Sequence, residues 1–272
     1  MTGFSVTGLG ATGLGATGFG TTVLGLRTSL AERETEALEL MDDPACDEVL
    51  LARTYAQFRV VNALVAGWRT IYRRRIRPLL SADRTTSLLD VGSGGGDVPR
   101  ALARWAGRDG LRLEVTAVDP DPRAHAFATD PARATPRDGR DRVRFRRATS
   151  TELVAAGERF DVVTSNHVLH HLDPPALATL LADSARLARV LVVHDDIARS
   201  RFAYAAYGLA TSPWSGRSFV HHDGLLSIRR RSYRRAELVA AVPPSWRVVP
   251  MLPSRLLLLH EPPSSGEGTS GA

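Results

Sequence analysis

Two aspartates and a short string of glycines carry the plainest chemistry in the chain. Asp90 lies in the apolar run Leu88-Leu89-Asp90-Val91 and is followed by Gly92-Ser93-Gly94-Gly95-Gly96-Asp97-Val98. Glycines let backbone approach a ligand closely, and a helix opening after them offers free N–H groups. A dinucleotide fingerprint would space its glycines G-x-G-x-x-G/A around a pyrophosphate. Here the spacing is Gly92-x-Gly94-x-Gly96, with a carboxylate two residues before the first glycine, which suits a ligand that carries a cation. Asp119, in Ala117-Val118-Asp119-Pro120-Asp121, stands where an acid after a second strand takes two ribose hydroxyls. The pair points to a nucleoside cofactor without a phosphate, and Asp121 fits better than Asp119 as the cap of a helix opening at Pro122.

Eight histidines extend the chemistry to proton transfer, since a neutral imidazole can take the proton of a phenolic acceptor. His221-His222-Asp223-Gly224 falls in an irregular stretch, where loops carry function on a rigid scaffold; His222 is either a base or, with Asp223, a loop anchor. His170 and His171 are adjacent and cannot face the same way on a helix, and the second is expected to pack beside Leu172. His194, Asp195 and Asp196 with His221 and His222 could be combined on paper as metal ligands, but nothing fixes their spacing, so no metal is expected.

Short apolar runs alternating with helices must position these residues. Strands are expected at Ser87–Val91, Leu113–Val118, Val143–Arg147, Phe160–Ser165 and Val190–His194, and helices at Pro99–Trp105, Pro122–Thr129 and Pro175–Leu187. That alternation implies right-handed βαβ units and a parallel sheet covered on both faces. A helix near Ala236–Val242, then Trp246–Met251 and Arg255–Glu261, suggest a terminal antiparallel hairpin. Upstream, Ser29-Leu30-Ala31-Glu32 reads as a capping box opening a helix to about Leu40, and Leu51, Tyr55, Phe58, Asn62 and Val65 recur at helical spacing. The expected fold is α/β: a Rossmann-like, doubly wound, mostly parallel seven-stranded sheet with a C-terminal antiparallel hairpin and an N-terminal helical cap. The divisions are a Gly/Thr-rich disordered leader over 1–26, carrying the repeat TGLGA-TGLGA-TGFGT, the cap over 27–80, the cofactor core over 81–196, a substrate-side insert over 197–235, the end of the sheet over 236–261 and a disordered tail over 262–272.

The segment LLDVGSGGGDV resembles the signature of the class I S-adenosylmethionine-dependent methyltransferases, and residues 87–200 follow the family in motif detail. The resemblance implies S-adenosyl-L-methionine as cofactor, with Asp90, Gly92, Ser93, Gly94 and Gly96 at its methionine and ribose portions and Asp119 and Pro120 at the ribose. Where the family often places an acid near the adenine, this chain has Ala148-Thr149-Ser150, leaving Thr149 or Ser150 as a substitute. Phe160 to Leu172 is similar to the fourth strand and turn of the small-molecule branch that includes ubiquinone and menaquinone methyltransferases, which puts Asn166 at the cofactor. The stretch from His222 through Gly224, and Asp196 followed by Arg199 and Ser200, resemble polyketide-associated bacterial methyltransferases. On that resemblance His222 and Asp196 are the expected catalytic residues, and secondary metabolism the expected setting. The acceptor is then small, aromatic or polyketide-like, methylated at oxygen or activated carbon, beneath aromatic residues such as Tyr55, Phe58, Trp68, Phe202, Tyr204, Tyr207 and Trp214.

Composition narrows the field. The chain has 272 residues and a net charge of +6, its 35 basic residues are all arginine, and it has one cysteine. One cysteine allows no internal disulfide and no cysteine zinc cluster, which fits a reducing, cytoplasmic setting. All-arginine basicity reads as genome bias before it reads as phosphate recognition. A nucleic-acid methyltransferase would use Arg73–Arg77 and Arg229–Arg235 as a footprint, but the strand ends Thr164-Ser165-Asn166-His167 rather than in Pro-Pro-Tyr. A silent cofactor-binding protein would carry the same glycine loop, and a nicotinamide oxidoreductase is disfavoured by the glycine spacing. No run reaches the ~18–20 apolar residues of a membrane span.

Overall fold

The computed structural model describes Leu30, Arg33 and residues 38–131 and 143–263. The expected leader, most of the helix expected over Leu30–Leu40 and most of the expected tail lie outside the described residues; at that helix's expected end Leu38 and Glu39 are not helical, and Leu40 opens a 3-10 turn instead.

Among the described residues, seven strands form one sheet: β1 (Thr86–Val91), β2 (Leu113–Val118), β3 (Val143–Arg146), β4 (Phe160–Asn166), β5 (Ala188–Ile197), β6 (Arg247–Met251) and β7 (Arg255–His260), in the order β3-β2-β1-β4-β5-β7-β6. β1 to β5 are parallel; β7 runs antiparallel to both β5 and β6. Leu88, Leu89, Val162, Val163, Val192 and Val193 are all 0% exposed. Such runs belong to strands buried on both faces, which is why they read as continuous rather than alternating. β5 extends past the expected His194 because its last polar residues find partners inside: Asp195 pairs with Arg255 at 2.7 Å and Asp196 with His170 at 2.7 Å.

Around the sheet lie α1 (Glu48–Val65), α2 (Trp68–Ile71), α3 (Asp97–Arg108), α4 (Pro122–Thr129), α5 (Ser150–Ala155), α6 (Pro174–Leu187), α7 (Arg201–Thr211), α8 (Val220–Leu226) and α9 (Arg235–Ala241). Asp47 caps α1, accepting from Val49 N at 2.8 Å and Leu50 N at 2.9 Å. As expected, Asp121 caps α4 through Arg123 N. The insert after β5, which in sequence reads as irregular and partly helical, carries α7 and α8. Ser200 caps α7 by accepting from Ala203 N, and α8 packs on α7 because Gly224 leaves room for the Tyr207 ring; a Cβ at Gly224 would fall 2.2 Å from it. α8 then runs into a π-turn at Ser227–Arg231.

The order reverses between β1 and β4, and a crevice opens there at the carboxyl ends of the strands, where open α/β sheets bind ligands.

Candidate active site

A cavity of about 780 Å³ fills that crevice, within the ~300–1,000 Å³ of small-molecule sites. Its first half is acidic. Asp90, at the end of β1, is 2% exposed and accepts from the Thr164 hydroxyl at 2.8 Å. Burial pushes its carboxyl up to about 7, against the pull of that hydrogen bond. Asp97 opens α3, also raised by burial, and accepts from Asn62 Nδ2 of α1 at 3.0 Å. Asp119 ties the glycine loop to the end of β2: its two oxygens accept from Gly94 N at 2.8 Å and Asp121 N at 2.9 Å, and burial raises it as well. Three carboxylates whose hydrogen bonds come from neutral donors make a region that a cation would relieve.

Gly92, Ser93, Gly94, Pro120, Thr149 and Asn166 also line the cavity, and so does Gly95, which sequence reasoning passed over. Gly92 has φ +68 and a Cβ there would sit 2.6 Å from Val168. Gly96 is a correction: it is not among the lining residues, and its part is packing, since a Cβ would fall 2.5 Å from the Phe145 ring. Thr149 lines the cavity with its hydroxyl already committed to a capping box with Glu152, and Ser150 donates to Asp183 at 2.8 Å. Asn166 accepts from Trp68 Nε1 at 2.9 Å and from Arg255 at 3.2 Å, which fixes its amide.

The second half is apolar, with Phe58, Val65, Leu172, Leu180, Tyr207 and Ile228 on its wall and one polar stripe of Glu39, Asp42, His167, His170, His171 and Arg231. His170 is the centre of the stripe. It is 2% exposed, its Nδ1 lies 2.7 Å from Asp196 Oδ1, and its Nε2 lies 3.5 Å from Glu39 Oε1. Burial alone would lower its pKa; the two carboxylates overcome it and push it up to about 9. His170 reciprocally holds Asp196 well below the usual carboxylate range despite burial. His167, at φ +58, has its Nε2 2.8 Å from Arg255, and burial with that guanidinium drives its pKa well down.

Both expected catalytic residues move from their places. Asp196 stands behind His170 rather than on the cavity wall. His222 is 59% exposed, bonds its neighbour Asp223 at 2.9 Å, and is not among the described residues that line the cavity. Adjacency in sequence suggested a base and its orienter, but α8 turns His222 outward and Asp223 inward. His171, expected to pack, lines the cavity beside His170, their rings 4.3 Å apart, because they sit on a 3-10 turn rather than an α-helix. The metal set combined from His194, Asp195, Asp196, His221 and His222 does not assemble: His194 is fully buried against Ser165, and His221 meets Thr211. Of the aromatic roof, Tyr55, Phe58 and Tyr207 reach the cavity, whereas Phe202 is 63% exposed. Nor is Arg229–Arg235 a free cationic face, because Arg231 is 4% exposed and donates to the carbonyls of His170 and His171.

Residues 88–212 match the family described as a methyltransferase domain. That stretch, a little under half of the chain, is similar to methyltransferase domains. A ubiquinone biosynthesis O-methyltransferase of Azorhizobium caulinodans is 35% identical over 99 residues, 36% of this chain and 34% of the relative. The chain thus covers about a third of the length of the curated relatives it matches. Among solved structures, the CurJ carbon methyltransferase superposes with a TM-score of 0.53 at 15% identity, over 79% of this chain and 61% of that one. Human N-acetylserotonin methyltransferase, solved with S-adenosylmethionine, gives 0.52 at 12% identity over 79% and 56%. These likenesses carry the fold. The domain's class uses S-adenosylmethionine, and the donor set suits it: an ammonium and a sulfonium meet carboxylates, and no phosphate asks for the arginines this half lacks among its lining residues.

Proposed function

We propose that the protein transfers the methyl group of S-adenosylmethionine to a small acceptor, aromatic or polyketide-like, at oxygen or activated carbon. The observation that carries this reading is a cavity with an acidic half joined to an apolar half in which an imidazole is held between carboxylates. Bound in the acidic half, the cofactor supplies an electrophilic methyl group on a sulfonium. Asp90 and Asp97 would face its ammonium, Asp119 and Pro120 its ribose, Thr149 its adenine, and Gly92, Ser93, Gly94 and Asn166 the methionine portion.

His170 would take the acceptor's proton. Asp196 accepts from Nδ1 and leaves Nε2 as the reactive edge. With a conjugate acid at about 9, the ring is matched to a phenol near ~10, so the proton crosses with little free-energy change. Only the neutral ring accepts it, so the rate rises with pH toward about 9 and levels above. The alignment of acceptor and methyl does the rest, as positioned reactants reach effective molarities of ~10⁵–10⁸ M.

The relatives divide between oxygen and carbon acceptors, and a base of this strength serves a phenol or an acidic C–H between two carbonyls. The test is methyl transfer to simple phenols and 1,3-diketones, read by mass spectrometry. His170→Gln is expected to lower kcat by about 10²–10⁴-fold with the affinity for S-adenosylhomocysteine kept. Full activity in that variant removes the base. Transfer is expected to persist in EDTA, and its loss there would overturn metal-free proton transfer.

A further inference from the structure

Residues 38–43 cross the acceptor half of the cavity as a strap with only a 3-10 turn, Leu40–Asp42, in it. Side chains of α8 and the π-turn after it hold this strap down. The two oxygens of Asp223 accept from Leu40 N and Met41 N, each at 3.0 Å. Ser227 donates to Glu39, and Arg231 Nη1 donates to Asp42 at 3.1 Å. Asp223 is 2% exposed. A buried carboxylate is costly unless its hydrogen bonds are made, so its commitment to two backbone N–H groups of the strap works as a latch. What the latch presents to the cavity is Glu39, itself 4% exposed, with Oε1 3.5 Å from His170 Nε2.

We propose that Glu39, latched over the cavity by Asp223, is a positioning residue for the proton-accepting imidazole: it fixes the Nε2 edge of His170 and shares the proton that this edge takes up. This inference rests on the base role given to His170 above. It also gives the His-Asp-Gly stretch of α8 a part that the reaction itself does not use. Asp223 is the latch, Gly224 admits the Tyr207 ring beneath it, and His222 flanks the latch from solvent.

The charge on His170 follows from the groups around it. Asp196 faces it from β5 and Glu39 from the strap; His167 and His171 face it from its own turn at ring distances of 5.9 and 4.3 Å. Arg231 and Arg33 donate to the His170 carbonyl rather than to the ring, at 3.2 and 3.3 Å. The two carboxylates stabilise the imidazolium against burial. Removing the charge of Glu39 takes away part of that support, so the midpoint falls and the ring is neutral at lower pH.

The experiment is an NMR titration of the full chain with labelled histidine, saturated with S-adenosylhomocysteine, the His170 signal being assigned by its loss in His170→Gln. Glu39→Gln, a neutral isostere, is expected to lower the His170 midpoint by about one unit. Asp223→Ala, which frees the strap, is expected to lower it in the same direction. An unchanged midpoint in Glu39→Gln overturns the proposal. A shift in Glu39→Gln with none in Asp223→Ala overturns the latch. The readout needs no methyl acceptor, so a failure to find methyl transfer would count against the proposed reaction alone, and a fixed His170 midpoint against the role of Glu39 alone.

Discussion

Asp90 titrates where ordinary buffers can reach it. Burial raises its pKa to about 7, so in the empty protein ionisation is unfavourable and the stability this group contributes is lost as pH rises through that value. A ligand ammonium beside it favours the ionised form and reverses the sign. Binding of S-adenosylhomocysteine is therefore expected to tighten with pH below about 7, by up to tenfold per unit, and calorimetry from about pH 5.5 to 8 should show it. Asp90→Asn should flatten the dependence; equal wild-type affinities at the two ends would remove the carboxylate from the site. Asp90, Gly92, Gly94 and Asp119 were legible because their chemistry is local, one loop and one strand end. Glu39, Asp42 and Arg231 were not, because each reaches His170 or His171 only once a strap, a turn and a π-turn have met in space. His222 misled for the opposite reason, since neighbours in sequence on a helix point to different sides.

Elements were more legible than contacts. Apolar runs marked every strand to within a few residues, and turn residues marked most helices. α5 escaped, although Thr149-x-x-Glu152 spells a capping box; in sequence Thr149 reads as an adenine contact, and the box claims its hydroxyl. The length of β5 escaped too, because Asp195 ends an apolar pattern unless the Arg255 side chain is known to reach it from β7. That pair, 0% and 2% exposed, makes a prediction about the sheet. Arg255→Ala leaves a buried carboxylate uncompensated, which costs roughly 3–5 kcal/mol. Asp195 already sits at about 7 with its partner present, and losing the cation moves it higher still. At about pH 5 the orphan is protonated and the penalty shrinks; at about pH 8 it must ionise or hold a proton at a cost. Urea unfolding of the variant relative to wild type should therefore show a larger loss at the higher pH than at the lower, and equal losses would show that the pair does not act as a charge pair.

Across the whole molecule, the matched domain begins at residue 88, yet the cavity wall begins well before it. Tyr55, Phe58 and Asn62 of α1 line the cavity, Asn62 holds Asp97, and Trp68 at the start of α2 holds Asn166. Asn62→Leu in the full chain removes the donor to a buried carboxylate, and S-adenosylhomocysteine affinity is expected to fall about tenfold; an unchanged dissociation constant would confine cofactor recognition to the glycine loop. The same chain that braces the cofactor half continues back into the strap that closes the acceptor half. On the proposed reaction, grip on the donor and choice of acceptor lie together in one stretch of sequence. A graft of this stretch onto a related domain is therefore expected to carry both properties at once.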